Sequence, residues 1–258
     1  MSLRLTRRRA LFTGGLGLAG LTLSGCDRLT ASPSFMQILG GAEALTRASQ
    51  RTLIGGHALA REFSQRDLSA TFKANGSTMP TDSDYQAHLE KGFADWTLAI
   101  DGLVQRPAAF SLAQLRALPS RTQITRHDCV EGWSAIGKWT GVPLGRVLGS
   151  VGLKPSARFV VLHCADDLEQ TLDGTGRYYE SIDLVDAFHP QTLLAYEMND
   201  KPLEVAHGAP LRLRVERQLG YKHAKYVMRL EIVSSFANIG RGKGGFWEDR
   251  GYEWYAGI

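Results

Sequence analysis

The sequence predicts an α+β fold, and three features carry that expectation. Short helical patterns are few, apolar β-branched runs are many, and the two do not alternate as they would in a doubly wound sheet. The 28 glycines supply many tight turns. A hydrophobic content of 43% is ordinary for a globular protein with a real core, and 258 residues suffice for one large domain or two small ones.

Residues 27–35 read as a linker. Met36 to about Ile54 predicts a helix, because Ile38, Leu39, Ala42, Leu45 and Ala48 recur at helical spacing. From Ser64 to Thr81 the pattern is weak, with Asn75-Gly76 as a turn signal and Pro80 as a breaker. A short helix follows over Asp84–Phe93, and Trp96–Val104 alternates as a strand. Ser111 is a good N-cap for a helix through Leu118, which Pro119 stops. Arg121–Thr125 reads as a strand delivering Cys129 to a loop, and Gly141-Val142-Pro143 as a turn.

Leu144–Val151 predicts a short helix and Ala157–Cys164 a buried strand. Tyr178–Phe188 contains a short helix, Thr192–Glu197 is a strand, and Asn199–Pro202 is a turn. Pro210–Glu216 and Lys225–Ser234 are further strands, and residues 240–258 are rich in glycine and aromatics without a helical period.

The first residues read as a targeting segment. Thr6-Arg7-Arg8-Arg9 precedes the run Ala10–Leu23, which is short for a bilayer span and fits a signal h-region. The paired arginines fit a twin-arginine signal, against an ordinary basic n-region. Leu23-Ser24-Gly25-Cys26 resembles a lipobox, which would lipidate Cys26, against a plain small-residue cleavage site. The expected division is 1–26 signal, 27–95 N-terminal extension and linker helices, and 96–258 functional domain. Arg4, Arg7, Arg8 and Arg9 leave with residues 1–25, which hold no acid, so Lys+Arg falls from 30 to 26 against 26 Asp+Glu. The basic balance belongs mostly to the leader and supports no nucleic-acid partner.

Two cysteines remain, Cys129 and Cys164, and a disulfide between them is open in an oxidising compartment. Arg126, His127, Asp128 and Glu131 surround Cys129. A thiolate needs positive charge or a metal beside it. No second Cys or His stands at zinc-ligand spacing, so a metal here would take its other ligands from a cofactor. The run Arg212, Arg214, Arg217, Lys222, His223 and Lys225 offers a grip for an anionic one, with Arg212 and Arg214 on one strand face. The plainer reading of that run is a solvated basic strand. Gly240–Gly245 fits GxGxxG in letters, but no helix follows it. The aromatics after it (Phe246, Trp247, Tyr252, Trp254, Tyr255) read as packing or as a pocket wall.

Several motifs in order carry a resemblance: Trp96–Val104 with its DGLV turn, CVEGW at 129–133, WTGVPL at 139–144, HPQTLLA at 189–195, HGAPLRL at 207–213, and Gly220 through Lys225. Over about Trp96–Val233 the chain resembles the oxidoreductase molybdopterin-binding family, in the style of its periplasmic methionine-sulfoxide reductases. The resemblance implies a mixed, β-rich, sulfite-oxidase-like fold in a single domain. It implies one molybdenum held by a pyranopterin (molybdenum–molybdopterin), with Cys129 as the one protein ligand. His207, Arg212, His223, Ala224 and Lys225 would touch the cofactor, with Lys222 adjacent, and so would Asn75, Thr78 and Met79. Cys164 would lie beside the cofactor, which argues against the disulfide. Arg126 would orient an oxygen near the metal. The departure is His207, where the reductase pattern has Asn.

The implied activity is oxygen-atom transfer on sulfur, with sulfoxide reduction favoured over sulfite oxidation. The sulfite oxidases' haem and dimerisation domains find no counterpart before the chain ends, so a monomer is expected. The absence of CxxCH or iron–sulfur spacing implies a separate electron partner, a membrane haem protein or a soluble cytochrome. The expected location is periplasmic, by the twin-arginine route, with a lipid anchor at Cys26. Two other classes compete. One is a Cys129 nucleophile with His127 or His207 as base. The other is a non-catalytic, membrane-tethered binding protein.

Overall fold

The computed structural model describes residues 32–53, 55–171, 174 and 176–258. The twin-arginine pair, the apolar run and Cys26 lie outside the described residues. The chain divides into two compact units, Met1–Leu53 and Ile54–Ile258. The described part of the first is one helix, α1 (Pro33–Leu53). No helix among the described residues is long and apolar enough to cross a membrane.

The second unit holds four short helices and ten strands among the described residues. In chain order these are α2 (Ser83–Glu90), β1 (Thr97–Gly102), β2 (Ala108–Ser111), α3 (Leu112–Ala117), β3 (Arg121–Asp128), β4 (Ser134–Pro143) and α4 (Leu144–Val151). Then come β5 (Phe159–Asp167), β6 (Arg177–Asp183), α5 (Leu184–Ala187), β7 (Leu193–Met198), β8 (Lys201–Pro202), β9 (Arg212–Arg214) and β10 (Val227–Val233).

One sheet runs β2-β1-β10-β5-β6, with β1 parallel to β10 and the other pairs antiparallel. The other runs β3-β4-β7-β8, and β9 also pairs with β7. The main core draws on both: Leu98, Ile100, Leu162, Leu230 and Ile232 from the first, Val142, Leu194 and Leu213 from the second. β5 sits between β10 and β6 and is buried along most of its length, which is why it reads as an unbroken apolar run.

The helices follow local rules. α3 begins in a capping box: the Gln114 amide donates to Ser111 Oγ at 3.2 Å, and the Ser111 amide donates to Gln114 Oε1 at 2.8 Å. α4 buries Leu144, Val147, Leu148 and Val151, one stripe at helical spacing. Asp82 caps α2 by accepting from the Tyr85 amide at 2.9 Å.

Four expectations change. β4 extends through Gly141 and Pro143, read above as a turn; pairing with β7 holds them extended, with a register irregularity at Thr140/Gly141. Tyr178–Phe188 is mostly strand β6, and only Leu184–Ala187 is helical. β9 keeps three residues of the expected strand Pro210–Glu216. Residues 55–95, expected as an extension, belong to the compact unit: Phe63 donates its amide to Ile124 O at 2.9 Å, and Tyr85 OH donates to Ala209 O at 2.8 Å.

Candidate functional site

β3 and β4 form a hairpin that closes on Asp128 opposite Ser134. Its loop is Cys129–Trp133. The Cys129 amide donates to Trp133 O at 2.9 Å, and the Gly132 amide donates to Cys129 O at 3.0 Å. Cys129 is half-buried and free, and it lines a cleft with Asn75, Asp166, Gly220, His223 and Lys225. Gly76, Val130, Glu131, Leu168, Tyr178, Tyr221, Trp247 and Tyr252 form the rest of the wall.

The polar groups at and behind this wall are buried, and several have open valences. Arg212 is fully buried; its Nη1 donates to His207 O at 2.9 Å, while Nε and Nη2 meet no partner in the protein. Burial, and then the Arg214 charge, lower its pKa to about 9. Arg212 and Arg214 both stack on Trp139, at 4.9 and 4.4 Å from the ring centre, so they do share a face. Arg214 differs from its neighbour in being neutralised by a buried Glu216 at 2.6 Å.

His127 and His223 lie ring to ring, with centroids 5.0 Å apart. Arg214 donates from Nη1 to His127 Nδ1 at 3.0 Å, which leaves the His127 proton on Nε2, an atom without a partner in the protein. His223 donates from Nε2 to Gln218 O at 3.0 Å, so its unpartnered Nδ1 is an acceptor. Burial and the neighbouring arginines hold both imidazoles far below their usual pKa. His207 Nδ1 and Asn75 Oδ1 are likewise buried and unpartnered.

Lys225 reaches Ser77 O and, at 3.0 Å, Ala206 O. Burial, and then the Arg212 charge, depress it to about 7. Tyr226 OH also donates to Ser77 O, at 3.0 Å, so the Asn75–Ser77 segment is fixed from below. Gly208 makes the convergence possible: at φ +107°, a Cβ there would stand 2.9 Å from Lys225 Cβ and 3.2 Å from Arg212 Cβ.

The residues expected from sequence separate into groups. Cys129, Asn75, His223 and Lys225 meet at the cleft, and His207 and Arg212 stand near it, behind Gly208. Arg126 does not join them. It sits on the opposite face of β3 from His127, half-exposed, and its Nε donates to Asp128 at 2.9 Å on the wall of a different hollow. Thr78 and Met79 are exposed and off the cleft wall. Cys164 is a free thiol packed in the core, and Ala224 spends its carbonyl on the Leu213 amide at 2.7 Å. Lys222 is wholly buried between Glu180 and Glu248, away from the cleft wall.

Sequence reasoning missed Asp166 and the aromatic wall of Tyr178 and Tyr221, and left Trp247 and Tyr252 open between packing and wall. Alternation along β5 from Cys164 was the signal that could have found Asp166.

The geometry disfavours a Cys–His nucleophile pair. Burial raises the Cys129 thiol, and the lone pair of His127 is engaged by Arg214. The buried open donors of Arg212 and His127, with the open acceptors of His223 and Asn75, instead suit a polar ligand that carries an anionic group.

The site and the two-sheet fold define a domain with a polar cleft built to hold such a ligand. A family model described as "Oxidoreductase molybdopterin binding domain" matches residues 85–238, and the chain belongs to that family. It is 36% identical over 256 residues to YedZ1 of Azospira oryzae, provisionally named a protein-methionine-sulfoxide reductase subunit; the match covers 99% of this chain and 89% of that one. It is 37% identical over 144 residues to the protein-methionine-sulfoxide reductase catalytic subunit MsrP of Xanthomonas axonopodis pv. citri, covering 54% of this chain and 45% of that one. The chain thus spans under half the length of that relative. The sulfane dehydrogenase SoxCD of Paracoccus pantotrophus is similar in structure at a TM-score of 0.48 and 25% identity, over 55% of this chain and 39% of that one. The chain is a molybdopterin-binding oxidoreductase of the sulfite-oxidase-like type.

Proposed function

We propose that the chain holds a molybdenum–pyranopterin in the Cys129 cleft and removes oxygen from a sulfoxide sulfur. One observation carries the reading: buried polar atoms of Asn75 and His223 on the wall of the thiol-bearing cleft, and of His207 and Arg212 close to its Lys225, have no partner in the protein. Leaving such atoms unmade is costly, so a ligand that satisfies them gains what the protein forgoes. Arg212 and Lys225 would hold the phosphate of the cofactor, and Asn75 and His223 its polar ring edges. Cys129 would ligate the metal as thiolate, and the bound group would supply two-electron oxygen-atom chemistry.

The cleft's charge supports a neutral substrate over sulfite. Lys225 is its one cationic wall residue, with Nζ donating to Ser77 and Ala206 carbonyls, and the wall also carries Glu131 and Asp166. The aromatic rings of Trp247 and Tyr252, with Val130, suit the apolar arms of a sulfoxide. The printed names of two relatives agree with that substrate. Their "subunit" wording supports a separate electron donor, a membrane haem protein or a soluble cytochrome. The leader motifs support periplasmic placement by the twin-arginine route, with a lipid anchor at Cys26 and residues 1–26 removed or anchored.

Metal and pterin analysis of the exported protein tests the cofactor: about one molybdenum per chain is expected, and absence of both metal and pterin overturns the reading. Steady-state assays test the substrate. Turnover of methionine sulfoxide with a reduced viologen dye is expected; turnover of sulfite alone overturns the choice.

A further inference from the structure

Asp166 is the one carboxyl on the cleft wall that is almost fully buried, at 3% exposure, and no part of the cofactor reading uses it. Its Oδ2 accepts from Ser77 Oγ at 3.0 Å, and its Oδ1 meets no partner in the protein. It sits near the C-terminal end of β5, beyond the buried apolar run Val160–Leu162.

The chemistry of the site needs such a group. Removing oxygen from a sulfoxide as water consumes two electrons and two protons: R2SO + 2e− + 2H+ gives R2S + H2O. The electrons come from the external one-electron donor, and the protons must be delivered into the cleft. Of the other wall residues, Lys225 gives its Nζ to the Ser77 and Ala206 carbonyls, and three more are engaged. His223 has its proton on Gln218 O, Tyr178 donates to Tyr221 O, and Tyr221 donates to Glu253 O at 2.6 Å. Glu131 lies on the exposed lip, bound to Lys73 at 3.2 Å and Trp133 at 3.0 Å.

The geometry points to Asp166 as a catalytic acid: its Oδ1–H bond breaks, the proton joins the departing oxygen, and solvent supplies the second proton and then reprotonates the carboxylate. In sulfur oxidation the same carboxylate takes a proton from the water that supplies the oxygen. The assignment rests on oxygen-atom transfer in this cleft, not on the choice of sulfur substrate. Charged and titratable groups face Asp166 from each neighbouring element: Lys225 and Tyr226 ahead of β10, Tyr85 on α2, Tyr178 on β6, and Cys164 and Asp167 on β5. Burial raises its carboxyl to about 6, with Ser77 and then Lys225 pulling the other way, so it can be loaded and unloaded near neutrality.

The test compares wild type with Asp166→Asn, which keeps the shape and loses the proton, and Asp166→Glu, which keeps the proton. Turnover is normalised to bound molybdenum and measured with both methionine sulfoxide and sulfite. Infrared titration of the cofactor-free protein follows the buried carboxylic-acid band independently of activity. Expected for Asp166→Asn are wild-type pterin content, a turnover loss of about a hundredfold, in the range for removal of a general acid, loss of the fall in sulfoxide turnover as pH rises through about 6, and disappearance of one infrared band titrating near pH 6. Asp166→Glu should restore part of the rate. Unchanged turnover per molybdenum in Asp166→Asn overturns the assignment, and so does loss of pterin from both variants. If wild type turns over sulfite alone, the sulfoxide reading fails while the same variants still decide Asp166 through sulfite.

Discussion

Arg214 donates from Nη1 to Nδ1 of His127 at 3.0 Å, with both side chains buried. An arginine cannot accept, so this contact fixes the His127 tautomer and aims its Nε2–H at the edge of Gly220. The loop bearing Cys129 and the segment bearing His223 and Lys225 are locked together at that point. A Cβ on Gly220 would lie 2.6 Å from His127 Nε2 and 3.0 Å from Asp128 O. Neither atom can yield: one is tied to Arg214, and the other is backbone beside Cys129. Gly220→Ala should therefore cost about 1–3 kcal/mol in urea unfolding and reduce bound molybdenum. An unchanged unfolding midpoint would show that the two segments are not held this way.

Arg212 invites a prediction of opposite signs. In the cofactor-free protein it is a buried cation with two unpartnered nitrogens, which burial holds down at about pH 9. Replacing a buried, incompletely satisfied charge by an apolar side chain of similar volume is often stabilising by about 1–4 kcal/mol. Arg212→Met should raise the melting temperature of cofactor-free protein while lowering its pterin content after export. A lower melting temperature without cofactor would mean that the stack on Trp139 and the bond to His207 O already satisfy Arg212.

Much of the fold was legible. The α4 stripe, the Ser111 cap and the apolar β5 run are local patterns, and local patterns survive folding. β4 was not, because Gly137, Gly141 and Pro143 are poor strand formers and only pairing with β3 and β7 holds them. At the site, motif order brought out Cys129, Asn75, His207, Arg212, His223 and Lys225. It could not separate a basic residue facing a cleft from one already neutralised. Arg126 alternates onto the far face of β3 and pairs with Asp128, and Lys222 is claimed by two glutamates. Both partnerships depend on facing directions and long-range packing that charge type does not encode.

Asp166 also bears on stability in the cofactor-free protein. Its folded pKa, about 6, lies above the ordinary 3.8, so the folded state binds the extra proton between those values. Its contribution is therefore full below pH 3.8 and is lost as pH rises through 6. Two pKa units correspond to about 3 kcal/mol as an upper figure. His127 and His223, with lowered pKa values, work in the opposite direction as pH falls, so the total curve mixes them. The difference between wild type and Asp166→Asn isolates the carboxyl. Wild type should gain on the variant as pH drops from 7 to 4, read from urea midpoints. A flat difference would show that Asp166 ionises normally.

Lys222 supplies the last prediction. Its Nζ donates to Glu248 Oε1 at 2.6 Å and to Glu180 Oε1, and all three side chains are fully buried. Two carboxyls share one ammonium there. Burial, and then the Glu248 charge, push the Glu180 carboxyl well up, and Lys222 pulls it back. The cluster ties β6 to the C-terminal segment that brings Trp247 to the cleft. Removing the ammonium leaves acids without a counter-charge, which costs about 3–5 kcal/mol in such settings. Lys222→Met should lose about that much in urea unfolding at pH 7, and Lys222→Met with Glu248→Gln should recover part of it. If Lys222 held the cofactor instead, Lys222→Met would lose pterin at unchanged stability of the cofactor-free protein. The structural role predicts the reverse: cofactor-free stability falls, and the molecules that remain folded keep their pterin.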